Sequence, residues 1–427
     1  MPDVQPRCSF CDRPRNEVKA LLSNNDKDNP TYICNRCVGQ CGRAIEDASK
    51  TADPEHKALR KPPELKADLD KFVIAQEDAK REFAIAMYEH ARRREVSQGA
   101  GFLIVDDEDG QPEEVEIEKS NILAMGPSGS GKTHIARALA KSLDLPFYVG
   151  DASRLTQAGY VGDDVETLLQ GLVGAANGDI ERAQWGIIFL DEIDKLARKS
   201  GRTQSGHRDV TGEGVQQALL KLVEGSQIAV PRGQGAKMVV SGAGGTDVID
   251  TTNILFIGAG SFAGIEEIVE DRVNKTSRMG FGGTQRKTLE HDAYRQVAVE
   301  DIEEFGIIPE LVGRLPVRTS TYKLTEEDLA TILTKPKNAI LKQFRAMYQM
   351  DGISLQFEEA AVRAIAKEAA KRTTGARALR EVVKAVLKPY SYEATSDPTI
   401  KSILITEEAV LEPGTATIVR ENTTASA

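Results

Sequence analysis

The chain has 427 residues, 40% of them hydrophobic and 28% charged, an ordinary composition for a folded protein of about three domains. Its 65 acidic and 55 basic residues give a net charge of −10, which argues against a general nucleic-acid-binding surface. The longest apolar runs are too short to span a bilayer. The first ten residues lack the basic-then-apolar pattern of a secretory signal, so we expect a cytoplasmic protein.

All five cysteines lie near the start of the chain, and four of them form two Cys-x-x-Cys pairs separated by a longer loop. Two such pairs can converge tetrahedrally on Zn²⁺, and four thiolates close the site, which makes it structural rather than catalytic. A disulfide framework is less favoured in a large chain without an export signal. We therefore predict a zinc module at residues 1–45, with Cys41 as a small buried side chain. The predicted zinc ligands are Cys8, Cys11, Cys34 and Cys37.

A polar, proline-containing segment at residues 46–63 is predicted to be a linker. Helical periodicity begins near Glu64, and an acidic run at residues 99–120 is typical of a solvated loop or hairpin. From Asn121 onward, short apolar strands alternate with helices, which predicts an α/β fold with a parallel sheet covered on both faces. The predicted strands are 122–125, 147–149, 187–190 and 254–257, and the predicted helices are 133–142, 164–173 and 214–222.

The pattern changes after residue 319, where apolar residues recur at helical spacing. Thr325 and Asp328 form a weak capping box at the start of one such helix. Two segments rich in Gly, Ser and Arg are predicted to be mobile surface loops, at residues 198–212 and 231–245. The predicted organisation is a large domain at 64–319, a mainly helical small domain at 320–415 and a polar tail at 416–427.

Residues 126–133 have the full spacing of a phosphate-binding loop, and they lie between an apolar strand and a helix. The glycines let backbone N–H groups turn toward phosphate, and the helix N-terminus adds its dipole. Lys132 supplies a cation for the β- and γ-phosphates, and Thr133 offers a hydroxyl to Mg²⁺. A chance glycine-rich turn would not explain the flanking strand and helix. The predicted nucleotide-binding residues here are Gly126, Pro127, Ser128, Gly129, Ser130, Gly131, Lys132 and Thr133.

Two acidic residues follow the apolar strand at 187–190, at the edge of an open α/β sheet where ligands bind. Asp191 is predicted to hold Mg²⁺, and Glu192 to orient and deprotonate the attacking water. For Asp194 and Lys195 a solvated helical turn is favoured over catalysis. Together with the phosphate-binding loop, the acidic pair predicts ATP hydrolysis that depends on Mg²⁺.

With these motifs, the chain resembles the ClpX family of AAA+ protein-unfolding ATPases, which work with the ClpP peptidase. The order of zinc module, linker, ATPase domain and small domain covers nearly the whole chain. The resemblance implies a homo-hexameric ring that unfolds tagged proteins and feeds them to a separate ClpP-type peptidase, with adaptor proteins held by the zinc module. No membrane or nucleic-acid partner is expected. The chain has no Gly-x-Ser-x-Gly or His-Glu-x-x-His motif, so any peptidase activity belongs to the partner.

The resemblance also implies roles for single residues. Arg314, in a segment at 306–316, matches the arginine finger that reaches the γ-phosphate bound by a neighbouring subunit. Arg377 matches the nucleotide sensor of the small domain. A planar, permanently charged guanidinium suits both roles, although a lone arginine is more often part of a surface ion pair. The remaining implied residues are Val73 and Ile74 beside the adenine, Tyr160 and Val161 in the substrate pore, and Met279, Gly280 and Phe281 in the peptidase-docking loop.

The chain departs from the family pattern at several positions. Ala75 replaces a glycine beside the adenine, a change we expect to be tolerated because binding there uses backbone and apolar contacts. The polar residue that follows the strand predicted at 254–257, near 258–261, is not assigned. The Arg-Lys-His loop of the family has no counterpart at residues 231–241. Two smaller exchanges are Met279 for isoleucine and Asp163 for glutamate.

Three other functions fit parts of the sequence. A free-standing remodelling chaperone would share the ATPase but would not need the docking loop at 279–282. A zinc-bearing nucleic-acid motor would favour a basic channel, against the net charge and the aromatic Tyr160. A nucleotide-switched scaffold that never hydrolyses would not need Glu192.

Overall fold

The chain divides into two units, residues 1–59 and residues 60–427, of which the second holds both predicted ATPase domains. No helix within the described ranges is long and apolar enough to cross a membrane. The computed structural model describes residues 6–24, 30–39, 41, 59–98, 103–106, 112–115, 117–156, 165–197, 212–231, 246–278, 293–372 and 374–421.

The first unit is built around its cysteines rather than around large aliphatic side chains. Two short antiparallel strands, β1 (Leu21–Ser23) and β2 (Tyr32–Cys34), end at the second cysteine pair. A core of this size is too small to hold a fold without a metal or a cross-link. The buried cluster consists of Cys8, Cys34 and Cys37, with Cys11, Val18, Leu21 and Ile33 packed against it.

The large domain alternates strands with helices, as the sequence predicted. The acidic run at 99–120 contains an antiparallel hairpin, which agrees with the hairpin alternative. In chain order the elements are α1 (Pro62–Asp70), α2 (Glu77–Gln98), β3 (Leu103–Asp106), β4 (Pro112–Val115), β5 (Ile122–Met125), α3 (Lys132–Ser142), β6 (Phe147–Asp151), α4 (Glu166–Ala175), α5 (Ile180–Ala183), β7 (Ile187–Asp191), α6 (Glu213–Glu224), β8 (Gln227–Pro231), β9 (Thr246–Asp250), β10 (Leu255–Gly260), α7 (Ile265–Arg278), α8 (Val299–Phe305), α9 (Pro309–Gly313) and β11 (Val317–Ser320).

A five-stranded sheet forms the centre of the large domain, with all neighbouring strands parallel and the order β11-β5-β10-β7-β6. Every residue of β5 and β10 is buried. Strands buried on both faces read as continuous apolar runs, which is why the sequence located them. The phosphate-binding loop follows β5 and the acidic pair ends β7, so both lie at the carboxyl edge of this sheet.

Alternate residues of the strands enter two different cores. Ile188 and Leu190 of β7 pack with α4 and α6 on one face, whereas Ile187 and Phe189 pack with α2 and α3 on the other. The two-residue period of a strand produces this division without any further signal in the sequence. The sheet is therefore clamped between helices, and its carboxyl edge has a fixed position for the nucleotide site.

The small domain is mainly helical, as predicted, and it also contains a three-stranded sheet with the order β12-β13-β14. The predicted cap is present, because the Thr325 hydroxyl oxygen accepts the Asp328 N–H at 3.1 Å and Asp328 Oδ2 accepts the Thr325 N–H at 3.0 Å. The elements are α10 (Glu326–Thr334), α11 (Ile340–Met350), β12 (Ser354–Phe357), α12 (Glu359–Ala370), α13 (Arg377–Ser396), β13 (Ile400–Ile405), α14 (Glu407–Leu411) and β14 (Thr417–Arg420).

Two predicted boundaries are wrong. The strand β14 lies inside the predicted tail at 416–427 and pairs antiparallel with β13, so the fold continues to Arg420. The predicted linker at 46–63 ends too late, because α1 begins at Pro62 and Arg60 forms an ion pair with Asp68. Two prolines in the first turn of a helix are tolerated, since those N–H groups have no helical partner.

The two predicted surface loops lie almost entirely outside the described residues. The segment at 231–245 is flanked by β8 and β9, which pair as an antiparallel hairpin that the sequence analysis did not predict. Only Val230 and Ile249 are buried in these strands, so they lack the continuous buried run that marks β5 and β10.

Candidate functional site

The phosphate-binding loop connects β5 to α3 through three glycines with positive φ. Gly131, at φ +107°, caps the start of α3, and a Cβ atom on Gly126 or Gly129 would collide with a neighbouring backbone oxygen. The oxygen beside Gly126 belongs to Thr321, and that beside Gly129 belongs to Thr374. These two positions require glycine both for conformation and for space.

Lys132 is buried and folds back onto its own loop. Its Nζ donates to the carbonyl oxygens of Gly126 at 2.6 Å and Pro127 at 3.0 Å. Burial lowers the pKa of Lys132 to about 8, against the opposing charges of Asp191 and Asp194. An ammonium held by carbonyl oxygens can exchange them for phosphate oxygens, which suits the predicted role.

Thr133 and Asp191 come together as the sequence predicted. The Thr133 hydroxyl donates to Asp191 Oδ2 at 3.5 Å, although the two residues are 58 positions apart. A hydroxyl beside a carboxylate is the hard-oxygen donor set that Mg²⁺ prefers, so these residues fit the predicted metal. Next to them Glu192 is exposed and has φ +58°, a conformation that costs energy for any residue except glycine. Strain of this kind is typical of functional positions.

Asp194 is buried, and the prediction of a solvated turn at this residue is wrong. The short 3₁₀ helix Ile193–Leu196 turns its side chain toward the end of β10, where Oδ2 accepts from the Ser261 hydroxyl at 2.8 Å and from Phe262 N–H at 3.2 Å. Its Oδ1 has no hydrogen-bond partner among the described residues. Ser261 directly follows β10 and lies in the stretch near 258–261 where the polar residue of the family pattern has no assignment from the sequence. The hydroxyl residue directly after the apolar run of β10 was the available signal.

A cavity of about 590 Å³ collects most of the predicted nucleotide-binding residues. It lies between the large and small domains, and its wall includes Arg377, Ser261 and Asp194. The size is within the range of sites for small molecules and cofactors. The predicted residues that line it are Val73, Ile74, Ser128, Gly129, Ser130, Gly131, Lys132, Thr133, Asp191, Glu192 and Arg377.

The small domain contacts the phosphate-binding loop through its backbone. The N–H of Ala376 donates to the carbonyl oxygen of Gly129 at 3.2 Å, and Gly375 has φ +56°. A Cβ atom on Gly375 would lie 3.0 Å from the carbonyl oxygens of Ser128 and Gly129. The turn that begins α13 therefore rests directly on the loop, with Arg377 in the first turn of the helix.

Ala75 and Gln76 both have φ near +60°, which explains why the family pattern has glycine at the first of them. The exchange is accommodated, but it leaves an alanine in the left-handed region. Gln76 is buried and makes three hydrogen bonds with Tyr322, one through its backbone N–H and two through its side-chain amide. This pairing joins the adenine-side segment to the chain that leads into the small domain.

Arg314 lies away from this cavity, at the opposite edge of the sheet. Its carbonyl oxygen accepts from Asn121 Nδ2 at 3.0 Å, and Asn121 directly precedes β5, whereas the phosphate-binding loop follows that strand. The Arg314 guanidinium is 57% exposed and pairs with Glu224 at 3.0 Å. A contact of Arg314 with a nucleotide would thus involve the nucleotide of another copy.

The four predicted zinc ligands converge, with all four Sγ atoms within 4.8 Å of one another. The Cys8–Cys37 and Cys11–Cys34 Sγ pairs lie 3.9 Å and 3.7 Å apart. Four sulfurs at the usual Zn–S distance of about 2.3 Å form a tetrahedron with edges of about 3.8 Å. The geometry therefore fits Zn²⁺.

The pKa values of these thiols also indicate a site that needs a cation. Burial raises the pKa of Cys8, but N–H groups of Phe10, Cys11 and Cys34 oppose it more strongly and bring the pKa down to about 6. The neighbouring Cys11 sulfur and burial raise the pKa of Cys37 to about 12. Four crowded thiols cannot all lose their protons unless a cation balances the negative charge. A zinc ion would supply that positive charge.

The residues predicted to line the pore and to dock the peptidase are outside the described part of the chain. These are Tyr160, Val161, Asp163, Met279, Gly280 and Phe281, together with residues 232–241 of the missing basic loop. Cys41 is partly exposed. The expectation that it is buried is therefore only partly met.

Comparison with known proteins covers the same three regions. Residues 6–47 match the family described as the ClpX C4-type zinc finger, residues 117–318 match the AAA domain of the Cdc48 subfamily, and residues 324–404 match the C-terminal D2-small domain of ClpB protein. A protein of Treponema denticola named ATP-dependent Clp protease ATP-binding subunit ClpX is 43% identical over 94% of this chain and 93% of its own length. The protein of the same name from Borrelia duttonii is 42% identical over 95% of this chain and 90% of its own length.

Proposed function

The chain belongs to the ClpX family of AAA+ proteins, and from this we propose that it is an ATP-driven unfoldase that translocates tagged proteins into a separate ClpP-type peptidase. The observation that carries the proposal is the cavity between the two ATPase domains, because it combines a phosphate-binding loop, an acidic pair and residues of the small domain. Work on a protein chain requires that hydrolysis at such a site moves one domain against the other.

Each step of hydrolysis has a residue suited to it. Lys132 neutralises the β- and γ-phosphates, and the loop amides bind them from the N-terminus of α3. Thr133 and Asp191 hold Mg²⁺, which supplies charge neutralisation when it is bound. Glu192, at the end of β7, accepts the proton of the attacking water. Phosphoryl transfer depends mainly on positioning and charge, so this set is sufficient in one chain except for the cation supplied in trans.

That cation is Arg314, which we assign to the γ-phosphate bound by a neighbouring copy. Its position at the far edge of the sheet supports this assignment, because it cannot serve the cavity of its own chain in this arrangement. Hydrolysis then requires a closed ring, which we take to be a homo-hexamer by family resemblance. Arg377 contacts the nucleotide from the small domain and couples its state to the angle between the domains.

The remaining assignments follow from the family. Tyr160 and Val161 grip the substrate in the pore, and Met279, Gly280 and Phe281 dock the peptidase. The zinc module, which holds Zn²⁺ through four cysteines, recruits adaptors. The proposed organisation keeps the module at 1–45, ends the linker at residue 59, and places the large domain at 60–320 and the small domain at 321–421. Contacts of Arg60 with Asp68 and of β14 with β13 support the two revised boundaries.

The test is degradation of a folded, C-terminally tagged reporter by the full chain with a ClpP-type peptidase and ATP. We expect ATP-dependent loss of the reporter, no loss with Lys132→Ala, which cannot bind ATP, and none with Glu192→Gln, which binds ATP but does not hydrolyse it. Unfolding of the reporter without degradation would instead favour the free-standing chaperone. Stimulation of ATP hydrolysis by DNA and not by unfolded protein would reject both.

A further inference from the structure

Glu224 contacts only one side of the Arg314 guanidinium. A single carboxylate oxygen of Glu224, Oε1, accepts from Arg314 Nε at 3.1 Å and from Nη2 at 3.0 Å. A guanidinium has five N–H donors, so three of them remain unengaged among the described residues, two on Nη1 and one on Nη2. These three N–H groups lie on the sides of the guanidinium that the Glu224 carboxylate leaves uncovered.

Both partners are anchored to residues 251–256, which lead into β10 and form its first two positions. Asn121 is buried and donates to the Arg314 carbonyl oxygen, while its Oδ1 accepts the Phe256 N–H at 3.0 Å. Thr251 is also buried and closes the end of α6, since its hydroxyl donates to the Leu222 carbonyl oxygen at 2.8 Å. The backbone of Arg314 and the helix end that carries Glu224 are therefore held at fixed positions relative to one another.

An exposed ion pair of this kind contributes little to stability, because water and salt screen it. It can nevertheless set the direction of a long side chain. The surroundings also favour this, because Lys119 is close enough to Arg314 for their like charges to interact. A carboxylate beside the guanidinium offsets such a repulsion. Without the carboxylate, the guanidinium would turn away from this half-buried lysine and sample many rotamers.

We propose that Glu224 is a positioning residue for Arg314, which holds the arginine side-on so that its free end faces the γ-phosphate of the neighbouring copy. The proposal rests on the proposed function of Arg314 in trans. It assigns no contact with nucleotide to Glu224 itself. An oriented guanidinium loses less conformational freedom when it meets the developing charge of phosphoryl transfer, and this lowers the barrier to hydrolysis.

The experiment measures steady-state ATP hydrolysis by the assembled full chain, together with the Kd for a non-hydrolysable ATP analogue. Glu224→Ala is expected to lower kcat by about tenfold or more, with Kd unchanged, because the residue acts on a neighbouring site. Glu224→Gln, which keeps the shape but loses the charge, should give a smaller loss. Asp144→Asn is the matched control, since it weakens the exposed Arg182–Asp144 pair, at 2.9 Å, elsewhere on the same domain. It should leave kcat unchanged.

Two further measurements show whether Glu224 acts through Arg314. The Glu224→Ala/Arg314→Ala double variant should have the same kcat as Arg314→Ala alone, because nothing remains to be oriented. Glu192→Gln chains, which are inactive but carry an intact Glu224–Arg314 pair, should restore turnover to Glu224→Ala chains in mixed assemblies. The melting temperature and assembly size of each variant identify any loss that comes from misfolding.

The possible failures can be told apart. An unchanged kcat in both Glu224 variants, with an impaired Arg314→Ala, overturns the positioning role alone. Losses that multiply in the double variant overturn it as well, because Glu224 would then act independently of Arg314. A normal kcat in Arg314→Ala removes the arginine from catalysis and overturns both the trans assignment and the present proposal.

Discussion

At the scale of single residues, the lysine of the phosphate-binding loop has a charge that depends on pH near neutrality. Burial lowers the pKa of Lys132 to about 8 in the free protein, and bound phosphates would raise it again. Binding of ATP therefore takes up a proton above pH 8. Affinity should be full below that value and fall by up to about tenfold per pH unit above it, until the pKa of the complex is reached.

The measurement is the Kd of a non-hydrolysable ATP analogue with Mg²⁺ between pH 7 and 9.5. Lys132→Arg is the control, because a guanidinium keeps its charge throughout this range. Its affinity, even if lower overall, should not change with pH. A flat profile for the unmodified chain would show that Lys132 remains charged and that its burial is compensated in another way.

Ala75 carries backbone strain that a glycine would relieve. At φ +60° an alanine destabilises the folded state by about 1–2 kcal/mol through backbone strain. A glycine has no such strain, but it lowers the free energy of unfolding by about 0.5–1 kcal/mol because it gives the unfolded chain more conformational entropy. Ala75→Gly should therefore raise the free energy of unfolding by about 0.5 kcal/mol in denaturant titration. The same exchange inside helix α3, Ala138→Gly, should lower it by about 1 kcal/mol. Equal effects at both positions would contradict the strain at Ala75.

Among the single residues of the site, some are predictable from the sequence and others are not. The phosphate-binding loop and Asp191 were predictable because spacing fixes their chemistry. Asp194 was not, since its burial depends on a single 3₁₀ turn that folds it against Ser261 across 67 positions of sequence. Arg314 and Arg377 came from family resemblance, and no local pattern distinguishes them from surface arginines.

At the scale of elements, the strands that could be predicted from the sequence are those that are buried on both faces of the sheet. Strands β5, β7 and β10 are apolar runs in the sequence because helices pack against both faces of the sheet. Strands β8 and β14 expose most of their residues, so their sequences contain no comparable run. Pairing with a distant neighbour creates such strands, and that pairing is a property of the whole fold.

We expect the zinc module to unfold independently of the second unit, residues 60–427. Cys34 is fully buried, and its Sγ accepts the N–H of Cys37 at 3.5 Å. Cys34→Ser should therefore release zinc and unfold the module, which has little other core. ATP hydrolysis should continue, because all the cysteines lie in the first unit.

Zinc content per chain and the rate of ATP hydrolysis are the two measurements. Cys41→Ser is the matched control, and it should retain one zinc per chain because Cys41 lies outside the converging set. A Cys34→Ser chain that still holds a full equivalent of zinc would argue against the four-sulfur site. Loss of hydrolysis together with the metal would mean that the module is needed for assembly.

At the scale of the whole ATPase unit, Gln76 makes one of the contacts that join the two predicted ATPase domains, together with the backbone contact between Ala376 and Gly129. The side-chain amide of Gln76 donates to the Tyr322 carbonyl oxygen at 2.8 Å and accepts the Tyr322 N–H at 3.0 Å, much as a neighbouring strand would. Gln76→Leu would keep the volume and leave both backbone groups unpaired. We expect the free energy of unfolding of this unit to fall by about 2–4 kcal/mol.

Denaturant titration of the full chain, with and without an ATP analogue, measures this effect. Gln356→Leu is the control, because its side-chain amide is exposed and, within the described ranges, hydrogen-bonds only to the Ser354 hydroxyl at 3.2 Å. Its stability should remain within about 0.5 kcal/mol of the unmodified chain. If Gln76→Leu is equally mild, water replaces the lost contacts and the glutamine does not join the domains.

The contact of Ala376 and Gly375 with Gly129 has a mechanical consequence. A displacement that passes through side chains can be absorbed, because each has several rotamers to move into. The joint between the phosphate-binding loop and the small domain consists of two peptide backbones, and neither glycine has a rotamer. A shift of the loop would therefore reach the small domain through main-chain contacts, without a side chain that could absorb it by changing its rotamer. A change in the length of this turn would therefore alter the coupling between the loop and the small domain, whereas an exchange of a distant side chain would leave the contact in place.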